Sequence, residues 1–349
     1  MGTYVVRAGD SLQSVLQEAV RGDIVIISKE YDATNDGWPI TIDKEVRIES
    51  PPHNRIVVPE GSQAGFVLDL QGPNRPPGIT LQNVYLDARG AQSAFKVQRA
   101  RFCSFLGCVA ENASKHGFLL LNHDTAPNSN RFFYCDAHAN EGNGFFLDDG
   151  AHSTSLVGCR SVGNGGRGLW SRNNYASSWI GGGLEQNGDQ GAYIEGSEVF
   201  TLENAYIEGN ARNTSDQLLV DEAQSITIAK SYFNGHIEPN TNGIRFRSSN
   251  NCSIQNIEYR NLNGLLINER CSNTDLHRDS HYALDDSSFL IVDTGEKTRN
   301  DGTIEPTDLS AIMGQYEGER AINDGTTGPF GLAIWDGSMW ISMRTGTPI

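Results

Sequence analysis

From about Phe102 onward, apolar and polar residues alternate in short runs, and the runs recur. One phrase repeats: apolar, any residue, apolar, a small residue or Cys, then Asn, a short turn, Gly and a second alternating run. Gly117-Phe118-Leu119-Leu120 is followed by Gly144-Phe145-Phe146-Leu147, Gly168-Leu169-Trp170-Ser171 and Gly191-Ala192-Tyr193-Ile194. Gly243-Ile244-Arg245-Phe246 and Gly264-Leu265-Leu266-Ile267 continue the series, with Gln217-Leu218-Leu219-Val220 in the slot before them. The steps are 27, 24, 23, 26, 26 and 21 residues. Asn112, Asn140, Asn164, Asn187 and Asn210 form a second ladder in step with the first, and Cys108, Cys135 and Cys159 a third. Short alternating strands at a period of about 20 to 30 residues signal a solenoid. A helical repeat needs 3.6-residue periodicity, and a leucine-rich repeat needs its Leu-x-x-Leu-x-Leu frame; neither is present. The pattern predicts an all-β chain, a parallel β-helix in which each coil adds one short strand to each of about three sheets.

Stacking then assigns the recurring residues. Asn in a turn stack hydrogen-bonds along the ladder and tolerates a left-handed backbone. Gly is expected to supply positive φ at the next corner. The cysteines read as small core hydrophobes. Asp10 to Val20 reads as a short amphipathic helix with an Asp cap, and Asp23–Ile27 and Val46–Ile48 as first strands. An open solenoid end exposes core and strand edges, so a cap is needed there. The phrase ends near Gly295, and Gly331 to Met343 reads as a β-hairpin around Asp336-Gly337, with a Trp on each arm. The expected organisation is residues 1–53 as cap and first strands, 54–294 as β-helix and 295–349 as a small C-terminal β module.

Over roughly residues 1 to 290 this pattern resembles the right-handed parallel β-helix, or pectin-lyase-like, superfamily. In that superfamily a short helix of this kind plugs the solenoid end. The superfamily includes lyases, hydrolases, epimerases and viral spikes, so the resemblance implies a fold more than a function. The C-terminal Trp335-Asp336-Gly337-Ser338-Met339-Trp340 looks like the small terminal modules of tailed-virus tail and spike proteins.

Charge narrows the partners. Asp plus Glu number 43 against 27 Lys plus Arg, a formal net charge of −16. Phosphate binding needs a cationic surface, which argues against nucleic acid and anionic membranes. No apolar run approaches the ~20 residues of a membrane span, so no membrane insertion is expected. The N-terminus reads as lacking a Sec-type signal. Only six of the basic residues are Lys, and with a pI near 4.9 this fits a halophilic protein as well as an ordinary acidic one. Six Cys without a CxxC pair fit neither a disulfide scaffold nor a zinc ribbon.

Outward-facing ladders are where a β-helix can meet a ligand. After each corner Gly, one outward column runs Leu119, Phe146, Trp170, Tyr193, Leu219, Arg245, Leu266. The other runs Leu121, Asp148, Arg172, Glu195, Asp221, Arg247, Asn268. Phe146, Trp170 and Tyr193 beside Asp148, Arg172, Glu195, Asp221 and Arg247 suit a sugar chain: rings stack on pyranose C–H faces, and charged groups fix hydroxyls or uronates. Neighbouring subunits, or a loop such as residues 122–130, could cover the same stripe. A further column, Ala110, His138, Val162, Glu185, Glu208, stacks Glu185 and Glu208 at about the spacing of a retaining glycosidase pair, with His138 and Arg160 nearby. Glu185, Glu208 and His138 are the candidate catalytic residues. A Ca²⁺-assisted lyase would need a carboxylate cluster with a basic residue, and Arg172 with Asp148 and Glu195 is the nearest approach. No metal or other cofactor is expected otherwise. The pectate-lyase and polygalacturonase signatures are missing.

Two functions fit. One is a virion surface protein, a tail spike, fibre or head decoration, assembled in the host cytoplasm as a homotrimer with other virion proteins and attaching to host cell-surface glycan. The other is a free, secreted lyase, hydrolase or epimerase of acidic polysaccharide.

Overall fold

Each repeat lays down three strands of three to six residues, separated by bends, and the next repeat pairs with it in parallel and in register. The computed structural model describes residues 1–70, 78–124, 126–212, 216–235 and 241–262. It also describes the backbone of the strands Gly264–Glu269, Asp275–Leu276, Tyr282–Ala283, Ile291–Asp293, Arg320–Asn323, Gly331–Trp335 and Trp340–Ser342. Three parallel sheets result. Sheet 1 has twelve strands and starts at Thr3–Val6; sheet 2 has eleven and starts at Ile40–Ile42; sheet 3 has ten and starts at Arg55–Val57. The chain is a parallel β-helix.

The inward positions carry one continuous core. On sheet 2, Phe95, Phe118 and Phe145 stack on successive coils, with ring centroids 4.8 and 4.7 Å apart. Phe105 and Phe132 stack at 4.5 Å on sheet 1, edge-on to that column. All five are fully buried. Cys108, Cys135 and Cys159 are buried at one corner, each thiol donating weakly to a carbonyl of the preceding coil, as expected of core residues.

The asparagine ladder is a chain of side-chain amides. Asn140 donates from its backbone N–H and its Nδ2 to Asn164 Oδ1, Asn164 does the same to Asn187, and Asn187 to Asn210. Each Nδ2 also reaches a carbonyl of the preceding coil. All four residues are buried, so each amide replaces the water it has lost. Asn112 is not a rung. It sits at φ 59°, and Ala113 holds the slot, donating its N–H to Asn140.

The corner glycines differ from expectation. Gly117, Gly144, Gly168 and Gly191 do not have positive φ. They are small because the corner points inward: a Cβ on Gly144 would lie 1.9 Å from Ser161 Oγ and 2.9 Å from the Gly168 carbonyl oxygen. With the Gly and the next residue both inside, the residue before the Gly is thrown outward.

At the N-terminus the helix spans Leu12–Glu18 and buries Leu12 and Leu16. Its cap is Ser11, not Asp10. Asp36 accepts from Leu12 and Gln13 N–H at 2.9 Å each, and Lys44 Nζ donates to the carbonyls of Leu16, Gln17 and Ala19 at the other end. Both charges suit the helix dipole. The strands Ile24–Ile27 and Arg47–Glu49 follow, with Thr3–Val6 an unexpected first strand.

Near the C-terminus, Arg320–Asn323, Gly331–Trp335 and Trp340–Ser342 form an antiparallel sheet with Trp335 opposite Trp340. The expected turn at Asp336-Gly337 and the boundary at 294/295 lie outside the described residues.

Candidate functional site

The outer face of sheet 2 carries three columns. The aromatic column is in register as expected: Leu119, Phe146, Trp170, Tyr193, Leu219, Arg245. The charged column, Asp148, Arg172, Glu195, Asp221 and Arg247, runs beside it on strands that pair in the same register. The last coil slips by one residue: Arg245 pairs with Ile267 and Arg247 with Glu269. Leu266 and Asn268 therefore align with the inward Ile244 and Phe246. The cause is that Gly264 pairs with Asn242 rather than with Gly243.

The third column is the residue before each corner: His116, Asn143, Arg167, Gln190, Asp216 and Asn242. No sequence column included it. The inward corner turns it to the outer face, where Asn143, Gln190, Asp216 and Asn242 are buried among their neighbours and His116 and Arg167 half-buried; its recurrent polarity just before Gly was the signal available.

These columns interlock. Phe146 and Trp170 stack at 4.4 Å, and Trp170 and Tyr193 at 6.0 Å. The rings are not bare: Phe146 and Tyr193 are each only 7% exposed. Within the chain, cations lie over them. The Arg167 guanidinium lies 4.5 Å from the centroids of both Trp170 and Tyr193, and Arg172 lies 5.3 and 5.2 Å from those of Phe146 and Trp170. His116 covers the far side of Phe146 at 5.1 Å.

Carboxylates neutralise most of the cations. Arg172 Nε donates to Asp148 at 2.8 Å, Arg247 Nε to Asp221 at 2.7 Å and Arg245 Nε to Asp216 at 2.9 Å. Glu195 accepts from Trp170 Nε1 at 2.9 Å, and Asp221 from the Tyr193 hydroxyl at 3.1 Å. Against the penalty of burial, Arg247 holds the Asp221 carboxyl below its ordinary range. Burial, with Glu195 and Asp221 beside it, pushes the Tyr193 hydroxyl up to about 12.

Arg167 differs. Its Nε donates to Gln190 Oε1 at 3.1 Å, and no described carboxylate lies within ion-pair distance of it. Burial lowers its pKa, and the more distant Asp189 and Glu195 offset this only in part. Its backbone N–H donates to Asn143 Oδ1 at 2.9 Å, which fixes that amide. Asn143 Nδ2 then faces His116 Nδ1 at 3.3 Å, so the imidazole carries its proton on Nε2. Burial pushes His116 down to about 4, so at neutral pH it is an uncharged donor.

The candidate catalytic residues lie on sheet 3, a different face. Glu185 and Glu208 pair in register on adjacent strands. Glu208 is engaged by the Tyr206 hydroxyl at 2.6 Å and by Asn234 Nδ2 at 2.5 Å. Glu185 lies 3.9 Å from Arg160. His138 pairs with Glu111, not with Ala110, which points into the core. It sits 3.6 Å from both Glu111 and Asp136 carboxylates, and Asp136 raises its pKa. Glu111 is also held by Arg55 at 2.9 Å and by the Tyr85 hydroxyl. Among the described residues no group of three or more His, Cys, Asp or Glu is placed to hold a metal ion, and no helix is long and apolar enough to cross a membrane.

No protein-family model matches the chain, and no curated protein matches it in sequence. Solved structures do. A pectate lyase, Pel9A, is 13% identical over 90% of this chain and 85% of its own, with a TM-score of 0.52. The parallel β-helix fold is shared with this pectate lyase. The same β-helix is found in the DFA-IIIase of Arthrobacter chlorophenolicus A6, 11% identical over 90% of this chain and 97% of its own, with a TM-score of 0.59. ORF18 of Geobacillus virus E2 is 12% identical over 96% of this chain, with a TM-score of 0.53. The β-helix chain spans only 61% of that viral protein's length.

Proposed function

We propose that this β-helix is a virion surface protein that attaches to an acidic cell-surface polysaccharide through the outer face of sheet 2. Arg167 carries the reading. It is a half-buried guanidinium lying over two rings, on a face where Arg172, Arg245 and Arg247 each have a carboxylate. A uronate or other acidic sugar would supply the missing charge, stack on Trp170 and accept from the neutral His116. The fold shared with a Geobacillus virus protein and with saccharide-acting proteins supports a glycan partner on a virus particle. A homotrimer, contacts with other virion proteins and a halophilic host belong to the same proposal. Its test is Trp170→Ala. Binding to acidic polysaccharide or host cells should weaken while the β-sheet circular dichroism of the fold is retained. Loss of oligomerisation with glycan binding intact would make the stripe a subunit contact instead.

A second reading, a free enzyme acting on acidic glycan, is favoured by the register of Glu185 with Glu208 and the nearness of His138 on the same sheet. In that case the two carboxylates do the acid–base or nucleophilic work.

A further inference from the structure

At the turn from sheet 1 to sheet 3, successive coils place one residue in the left-handed region. Gly107, Tyr134, Gly158, Gly181, Asn204 and Lys230 share that slot, with φ from 49° to 69°. Gly and Asn take this conformation at little cost, and a bulky aromatic does not. Tyr134 is nonetheless there, at φ 54°, and 74% exposed, so its ring returns little burial to the fold. The ring lies across the next rung: a Cβ on Gly158 would sit 2.7 Å from Tyr134 Cδ1 and Cε1. Gly158 thus gives the ring a flat seat. A residue kept in a costly conformation to hold a ring in the open points to a contact outside the coil.

Beside Tyr134 lies the outer face of sheet 1, which neither candidate site uses. On the eight strands from Thr80–Gln82 to Ser253–Gln255 the middle residue is buried and the two flanking it face outward. One outward row is Ser or Thr at every rung except Arg131. The other holds Leu106, Phe133, Val157 and Ile180 on consecutive rungs. Arg131 and Glu203 are the charged residues at these outward positions, opposite in sign and three rungs apart, so a second copy can set one against the other. Sheets 2 and 3 carry acidic or Arg side chains on coil after coil, as described above. Seven rung spacings make the sheet 1 face about 34 Å long, and a strand with its flanking turn residues makes it about 16 Å wide. With side-chain relief added, that is of the order of the ~800 Å² per partner that a stable interface buries.

We propose that a second copy of this chain docks on the outer face of sheet 1, with Tyr134 as the anchor. This names the contact face of the assembly in the proposed function, and it rests on that reading for the assembly alone. A chain of net charge −16 repels its copies, and the charge-poor face is the one on which two can approach closely. The face is flat and its rungs recur at one spacing, which makes it complementary to itself; a small ligand would need a concave site. The Tyr134 ring and the row from Leu106 to Ile180 supply the buried centre, and the Ser and Thr hydroxyls supply the polar surround. Sheets 2 and 3 stay open to ligand.

The test is sedimentation equilibrium of the intact chain over a range of protein and salt concentrations. Wild type should associate, and more tightly as salt screens the net charge. Tyr134→Asn removes the ring with a residue suited to the turn, and Ile180→Glu puts a charge into the apolar row. Each should weaken association by about ten-fold or more with the β-sheet circular dichroism retained. Both should leave the binding of a short oligouronate, counted per chain, unchanged, and Trp170→Ala should leave association intact. A wild type that stays monomeric throughout overturns the proposal and leaves the face to a different partner. Association that both sheet 1 variants retain and Trp170→Ala loses overturns it too, by placing the contact on sheet 2. The oligouronate titration is a separate readout, so a failure here is distinguishable from a failure of the glycan reading.

Discussion

Asn210 donates from both its backbone N–H and its Nδ2 to Oε1 of Gln217, at 3.2 and 3.0 Å. This pair ends the buried amide ladder. Gln217 stands where the other coils have a corner glycine, and its side chain turns inward to serve as the last rung. Gln217→Leu keeps the bulk and removes the acceptor, leaving two buried donors unpaired. It should destabilise the chain by about 1–3 kcal/mol, read from the urea midpoint. An unchanged midpoint would mean that the ladder does not contribute.

The repeat made the β-helix legible because stacking forces equal residues to recur at equal positions. Core, cysteine stack and aromatic column followed from that alone. What stayed hidden depended on the corners. Whether Gly144 points in or out is a matter of a backbone bend that leaves no mark on composition, so the column of His116, Asn143 and Arg167 was assigned to neither face. Asn112 and Gly264 misled for the same reason: each is the right residue one position away from its slot. The guanidinium cover over Phe146 and Tyr193 arises between coils, which single-strand patterning does not register.

Two histidines should give the stability curve opposite slopes. The folded pKa of His116 is depressed to about 4 from 6.5, so the unfolded chain binds a proton first and stability falls as pH drops through that window. The folded pKa of His138 is raised, so its contribution is complete below 6.5 and fades as pH climbs through the raised value. His116→Gln should flatten the acid limb and His138→Gln the neutral limb, in denaturation series across pH. Identical curves for wild type and both variants would refute the assignment.

Cleavage, where it is found, should depend on sheet 3. Glu185→Gln should abolish release of reducing ends from acidic polysaccharide, while leaving attachment through sheet 2 unaltered. Undiminished cleavage removes Glu185 and Glu208 from the chemistry.

Assembly is accessible from the solution mass by light scattering, in low and in multimolar salt. A trimer, or an assembly that forms only in high salt, agrees with the virion reading and a halophilic origin. A monomer in both agrees with the free enzyme.

The central claim is that Arg167 waits for a negative charge carried by a sugar. The direct measurement is the affinity of a polyuronate and of its carboxyl-reduced form for wild type and Arg167→Gln, by calorimetry at two salt concentrations. Wild type should prefer the polyuronate, lose affinity with salt, and lose about ten-fold or more on Arg167→Gln. Equal affinity for the reduced polymer, or an Arg167→Gln variant that binds as well as wild type, would contradict the account.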